Sequence, residues 1–268
     1  MDTVKREIRL FFDFTWRDWS ATLIPGLIVA TGAVKHASLP AWNVVRFIPI
    51  EEDRINKPDR PLPSGKITVQ GAKRRWAIAL ATFLSTALFD GRLIVETATW
   101  IATTAFLCLS TYGGHWFGKN VVAMGIGSWA LWGGIYKTIA RPTATEERFF
   151  LVVSMWIAIA LQIQDLRDTE GDTAAGRRTL PIVVGDRRSR WLISLAFLPL
   201  SYATLWLGGV ISLAPSTVSA AHVLLAYRTL RGTDAEYDHK TYMLLTYLFC
   251  YVVALPIWCE PIPDQGPY

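Results

Sequence analysis

Phe149-Phe-Leu-Val-Val-Ser-Met-Trp-Ile-Ala-Ile-Ala-Leu-Gln-Ile-Gln-Asp165-Leu-Arg-Asp168-Thr-Glu-Gly-Asp172 is the stretch that decides the fold. Phe149–Ile163 carries no charge, and then three aspartates arrive within eight residues. Offsets of three and seven predict Asp165, Asp168 and Asp172 on one face of a helix. A helix apolar all round belongs in a large core or in hydrocarbon, and this one delivers acids to its end. Carboxylates so crowded repel one another unless a cation neutralises them. A solvated acidic loop end has the same spacing, so the rest of the chain must decide between the two readings.

Hydrophobic residues make up 51% of the chain and charged residues 18%, against roughly 25% charged in soluble domains. Further apolar segments lie at Ala21–Val34, Trp76–Phe89, Leu93–Tyr112, Val121–Ile139, Trp191–Leu207, Val210–Leu230 and Tyr242–Trp258. Several are shorter than the ~20 residues that cross a bilayer, but flanking Trp and Tyr extend them as interfacial anchors. The expectation is an all-α, polytopic membrane helical bundle built as a single domain over residues 1–268. Met1–Trp16 lacks the apolar core and small-residue cleavage site of a signal peptide. Cys108, Cys250 and Cys259 have no metal-ligand spacing, so neither a zinc site nor a disulfide framework is expected.

The net charge of +5 sits in loops between apolar segments, which excludes a nucleic-acid surface and suggests membrane orientation. Asp53–Arg75 and Asp165–Arg190 are the richest in Lys and Arg. Threading the spans puts both on one side with Arg228–Lys240 and Lys119, and that side is expected to be cytosolic. Lys137–Arg148 is an exception on the opposite side. The basic N-terminus belongs with Asp53–Arg75 only if the chain crosses twice between Arg17 and Asp53. The sequence supplies one good span there, because His36–Ile50 is short and contains Pro40, Arg46 and Pro49.

The first basic loop opens Glu51-Glu52-Asp53-Arg-Ile-Asn56-Lys57-Pro-Asp-Arg60-Pro-Leu-Pro-Ser-Gly65. Its prolines stiffen it and Gly65 allows a turn before the next helix. The second repeats the order of acids then bases, with Arg177 and Arg178 after Asp172. Carboxylates suit a hard divalent ion, Mg²⁺, and neighbouring Lys and Arg suit phosphate oxygens. A diphosphate head at this face, with its tail among apolar helices, satisfies both loops.

At residues 52–65 and 165–181 the chain resembles the UbiA superfamily of intramembrane prenyltransferases, in the style of a fungal branch that includes terpene cyclases. The resemblance implies nine transmembrane helices, with the acidic motifs on cytosolic loops after helices two and six. It implies Mg²⁺ held by Glu52, Asp53, Asp165, Asp168 and Asp172, with Asp53, Asp165, Asp168 and Asp172 as the catalytic set. Asn56, Lys57, Arg60, Lys119, Arg177 and Arg178 would bind the diphosphate of a farnesyl or geranylgeranyl substrate. Trp100, Tyr112, Trp116, Trp129, Trp132, Tyr136 and Trp156 are candidates to line a cation pocket. The chain departs from the family at Val45, where an Asn is expected, and at Pro49, where an acid is common. Most of the second helix is absent, leaving about eight to nine spans. Three outcomes stay open: transfer of the prenyl group to a hydrophobic acceptor, cyclisation of farnesyl diphosphate, or an inactive relative. His115 adjoins a loop that faces the site. His36, His222 and His239 have no partner legible in the sequence, and Glu96, inside an apolar helix, needs a partner or a cavity.

Overall fold

Helix boundaries fall where the local chemistry of the chain changes. The computed structural model describes residues 5–7, 10, 24–38 and 65–258. The first acidic loop, with Glu52, Asp53, Asn56, Lys57 and Arg60, lies outside the described residues, as do Val45 and Pro49. Helix α1 is Ile24–His36 and α2 is Val69–Phe89. The Asp90 carboxylate accepts the Arg92 backbone N–H and starts a 3₁₀ turn, Gly91–Leu93, that runs into α3, Ile94–Leu109. Ser110 caps a second 3₁₀ turn, Thr111–Gly114. A π-helical segment, Phe117–Ala123, then leads into α4, Met124–Lys137.

Thr143 and Glu146 form a capping box at the start of α5, Ala144–Ala160. The chain does not continue from there to Asp172 as one rod. It steps through α6, Gln162–Arg167, and α7, Thr169–Ala174, with breaks at Leu161 and Asp168. Gly185, at φ 87°, separates α8, Leu180–Val184, from α9, Asp186–Leu192. A second π-helical segment, Ile193–Phe197, joins α9 to α10, Leu198–Leu207. Helix α11 is Pro215–Arg231 and α12 is Ala235–Trp258.

Neighbouring helices pack α3 on α4, α4 on α5, α5 on α10, α10 on α11 and α11 on α12, with α1 wedged between α12 and α4. Ala30 and Ala33 are fully buried on α1, and such small side chains let helices approach closely where lipid gives no hydrophobic drive. The core runs through Val29, Trp132, Trp156, Ile163, Leu198, Leu225, Phe249 and Val252. The outer face is also apolar: Leu88, Phe89, Leu109, Leu207 and Val223 are all exposed, an arrangement that suits hydrocarbon rather than water. Among the described residues, Gly91–Leu109, Ala144–Arg167, Asp186–Leu207 and Ala235–Ile257 are long and apolar enough to cross a membrane.

The bundle has two chemically different ends. At the near end, Glu7 pairs with Arg75 at 2.5 Å, Lys119 with Asp165 at 2.7 Å and Arg190 with Asp238 at 2.6 Å. The N-terminal segment therefore lies at the end where the basic loops gather. Helix α1 leads away from that end and α2 starts from it; the residues between Ser38 and Gly65 lie outside the described ones. At the far end, Lys137 donates to the buried Glu96 carboxylate at 2.6 Å. That pairing matches one of the three cations of Lys137–Arg148, Lys137, with a buried acid. It also supplies the partner that Glu96 requires.

Candidate active site

The site forms where the π-helical segment meets α6 and α7. A π turn takes in one more residue than an α turn, and here both Lys119 and Asn120 reach α6. Glycine makes the approach to this segment possible. A Cβ at Gly118 would meet the Tyr112 carbonyl oxygen at 2.1 Å, and one at Gly113 the Leu107 carbonyl oxygen at 2.4 Å.

Asp165 is fully buried. Its Oδ1 accepts from Lys119 Nζ at 2.7 Å and its Oδ2 from Asn120 Nδ2 at 2.8 Å. The Asn120 amide also donates to Gln162 Oε1 at 3.0 Å. Asp172 is equally buried: its Oδ1 accepts from Arg177 Nη1 at 3.0 Å, while its Oδ2 lies 3.6 Å from Lys119 Nζ. That Oδ2 has no hydrogen-bond donor. Two backbone bonds staple the loops together, Arg178 N–H to Gly114 O at 2.8 Å and Trp116 N–H to Arg178 O at 3.0 Å. The Arg178 side chain remains exposed.

Asp168 does not join this group. At the break between α6 and α7 its carboxylate accepts from Arg167 Nε at 3.1 Å and Gln164 Nε2 at 3.5 Å. The expected single face of three carboxylates is therefore corrected: Asp165 and Asp172 converge on Lys119, and Asp168 sits with Arg167. Like-charge repulsion favours such separation, and each acid has found a cation of its own. Among the described residues no group of three His, Cys, Asp or Glu side chains is placed to hold a metal. Mg²⁺ does not require one, because it keeps several waters and takes one or two carboxylates beside substrate phosphates. The open, buried Oδ2 of Asp172 is a hard oxygen of the kind that ion uses, so the residues present fit it.

Between α4 and α5 lies an open apolar groove of about 280 Å³, with none of the charged side chains in its lining. Val121, Gly125, Trp129, Ser154, Ala158 and Ile159 line it together with Ile126, Leu151 and Met155, which are exposed on the outer face of the bundle. Of the expected aromatic lining, Trp132 and Trp156 are packed against Phe249 at 5.6 and 6.1 Å, and Tyr136 against Phe150 at 5.4 Å. Trp116 stacks edge-on against Phe197 beside the site, and Tyr112 faces outward.

Sequence reasoning missed Asn120 and Gln162, both fully buried. The available signal was a polar amide inside an otherwise apolar run. The histidines also have partners. His222 Nε2 accepts from Trp156 Nε1 at 3.0 Å, His36 lies 3.0 Å from Glu146, and His239 lies 3.0 Å from Arg167. His115 accepts locally from Phe117 N–H at 3.3 Å.

A charged, hydrogen-bonded group capping an apolar helical bundle defines an intramembrane protein that meets the polar head of a lipid-like molecule. The chain belongs to the UbiA prenyltransferase family, whose profile matches residues 14–251, a range that includes the first acidic loop. It is 48% identical to the diterpene cyclase eriG of Hericium erinaceus, over 94% of this chain and 88% of that one. It is 46% identical to the polyprenyl transferase eriF of the same organism, over 94% and 95%. These alignments extend over 270 and 273 residues while covering 94% of 268, so each relative has residues with no counterpart here. A solved structure concerned with digeranylgeranylglyceryl phosphate synthase in membranes shares the fold, with a TM-score of 0.51, 21% identity, and 87% of this chain and 80% of that one covered.

Proposed function

We propose that this protein ionises an isoprenyl diphosphate, farnesyl or geranylgeranyl, at the near end of the bundle and transfers the prenyl group to a hydrophobic acceptor. The observation that carries the reading is the pair of buried carboxylates, Asp165 and Asp172, held by Lys119 and Arg177 at one end of an apolar helical bundle. Lys119 and Arg177 already stand against carboxylates, and a short swing of either long side chain brings its cation to a phosphate oxygen. The exposed Arg178 is free to close over the same head, with Asn56, Lys57 and Arg60 contributing from the first loop. Asp165, held rigid by Asn120 and through it by Gln162, keeps Lys119 in position between the two acids.

Asp165 and Asp172, with Glu52, Asp53 and Asp168, would hold Mg²⁺, which when bound would neutralise the departing diphosphate and make it a better leaving group. Preorganised positive charge at the departing oxygen lowers the barrier to C–O cleavage. Apolar helices around the site would keep water from the allylic cation until the acceptor arrives. The near end faces the cytosol in this reading, because the basic loops collect there.

A second reading is cyclisation, in which a double bond of the same chain captures the cation. Similarity to a diterpene cyclase at 48% identity favours it. One assay separates the outcomes: purified protein incubated with farnesyl or geranylgeranyl diphosphate and Mg²⁺, without acceptor. Cyclised hydrocarbon makes the protein a cyclase, whereas turnover only after adding a membrane extract as acceptor source makes it a transferase. No pyrophosphate release under either condition overturns both, and leaves the inactive relative that Val45 suggests.

A further inference from the structure

On the near end, away from the acidic group, α9 and α11 enclose a cleft of about 310 Å³ lined by Arg187, Arg190, Trp191 and Leu230. Arg190 is not available to a ligand. Its guanidinium donates to both Asp238 oxygens at 2.8 and 2.6 Å and to Asp186 at 2.9 Å, and the residue is buried. Arg187 differs: it is exposed, and no ion pair ties it to an acid among the described residues. Asp186, the nearest acid in sequence, is already neutralised by Arg190. Two further exposed cations lie on the same two helices, Arg188 on α9 and Arg231 on α11, the latter over the Tyr227 ring at 5.3 Å.

The surface below the cleft is apolar. Trp191 is half exposed, and Leu195 follows it at helical spacing. On the facing helix, Leu230 is succeeded toward the far end by exposed Tyr227 and Val223. Cations at the membrane boundary therefore stand over a greasy furrow between two helices. Headgroup and tail of one molecule match the two parts. The position also suits such a molecule, because an exposed Trp beside arginines is an interfacial arrangement, and anionic lipids concentrate where basic segments meet the bilayer.

We propose that the α9–α11 cleft is a binding site for an anionic glycerophospholipid, with its phosphate on Arg187 and an acyl chain along Trp191, Leu195 and Tyr227. The bound lipid would brace α9 against α11 beside the Arg190–Asp238 pair. This site is separate from the proposed reaction, and it stands or falls independently of it.

The test uses the full chain, delipidated in detergent and titrated with phosphatidylglycerol, phosphatidylcholine of the same acyl composition, or inorganic phosphate. Retention is read by native mass spectrometry and by the shift in thermal unfolding. Phosphatidylglycerol is expected to bind and to raise the unfolding temperature, with phosphatidylcholine at least fivefold weaker. Arg187→Gln should weaken phosphatidylglycerol about tenfold, the loss expected of one charge-assisted bond. Arg141→Gln, an equally exposed cation at the far end, should change nothing. Trp191→Ser should weaken long-chain phosphatidylglycerol more than a short-chain form. Equal retention of phosphatidylcholine, unchanged binding by Arg187→Gln, or displacement of the lipid by inorganic phosphate would each overturn the proposal.

Discussion

Replacing Lys119 with Met removes the one cation that both buried acids share while keeping most of the side-chain volume. At an effective dielectric of 20, unit charges at 2.7 and 3.6 Å attract by about 6 and 5 kcal/mol gross, before the desolvation that offsets most of it. Stripping one partner from a buried pair costs about 3–5 kcal/mol net. Asp165 keeps Asn120 and Asp172 keeps Arg177, so the lower figure, about 3 kcal/mol, applies here. In a chelating buffer Lys119→Met should therefore unfold at a clearly lower temperature than the wild type. Added Mg²⁺ should recover more stability in the variant, because the ion no longer competes with an ammonium for Asp165 and Asp172. At one hundred times its dissociation constant an ion contributes about 2.7 kcal/mol, close to what was lost. Turnover should stay about 10²–10³-fold down even when stability is restored, since a cation for the leaving group is gone. Thermal unfolding with and without Mg²⁺ reads the first two effects, and pyrophosphate release reads the third. If the variant matches the wild type in chelator and responds no more strongly to Mg²⁺, the shared ion pair does not govern this site.

Gly118→Ala should destabilise the protein by at least about 1–3 kcal/mol and abolish diphosphate binding, because the added methyl collides with the Tyr112 carbonyl; urea-free thermal melts and pyrophosphate binding check both. Arg190→Ala should cost about 3–5 kcal/mol by stranding Asp238. The double change Arg190→Met with Asp238→Leu should recover most of that loss in the same melt. Glu96→Gln should lower stability by about 1–3 kcal/mol through its weakened bond to Lys137. Because it lies at the far end, it should leave Mg²⁺-dependent pyrophosphate binding within twofold of wild type.

The apolar runs were legible because a helix solvated by hydrocarbon needs no polar face, so Phe149–Ile163 announces α5 without any partner being known. Charge threading placed Lys119 on the same side as the second acidic motif, but its pairing with Asp165 and Asp172 was not legible. What the sequence hid was the internal balance. Helical spacing predicts which residues share a face, but a break at Asp168 cancels that inference, and breaks are governed by local competition for partners rather than by periodicity. The sequence suggested that an outside cation must neutralise the three acids, whereas Lys119, Arg167 and Arg177 each already face one. Asn120 and Gln162 escaped notice because they meet only after two segments 42 residues apart have folded together. The π-helical turn that aims Lys119 has no composition cue beyond Gly113 and Gly118, whose need for close backbone contact is visible only in three dimensions.

Pyrophosphate release from geranylgeranyl diphosphate by the wild type and by Asp172→Asn is the most direct measurement of the central claim. Asn preserves the size of the side chain and removes the charge of the open Oδ2. The account predicts Mg²⁺-dependent release by the wild type and a rate at least ~100-fold lower in the variant. Equal rates in the two proteins, or release that persists undiminished after chelation, would contradict it.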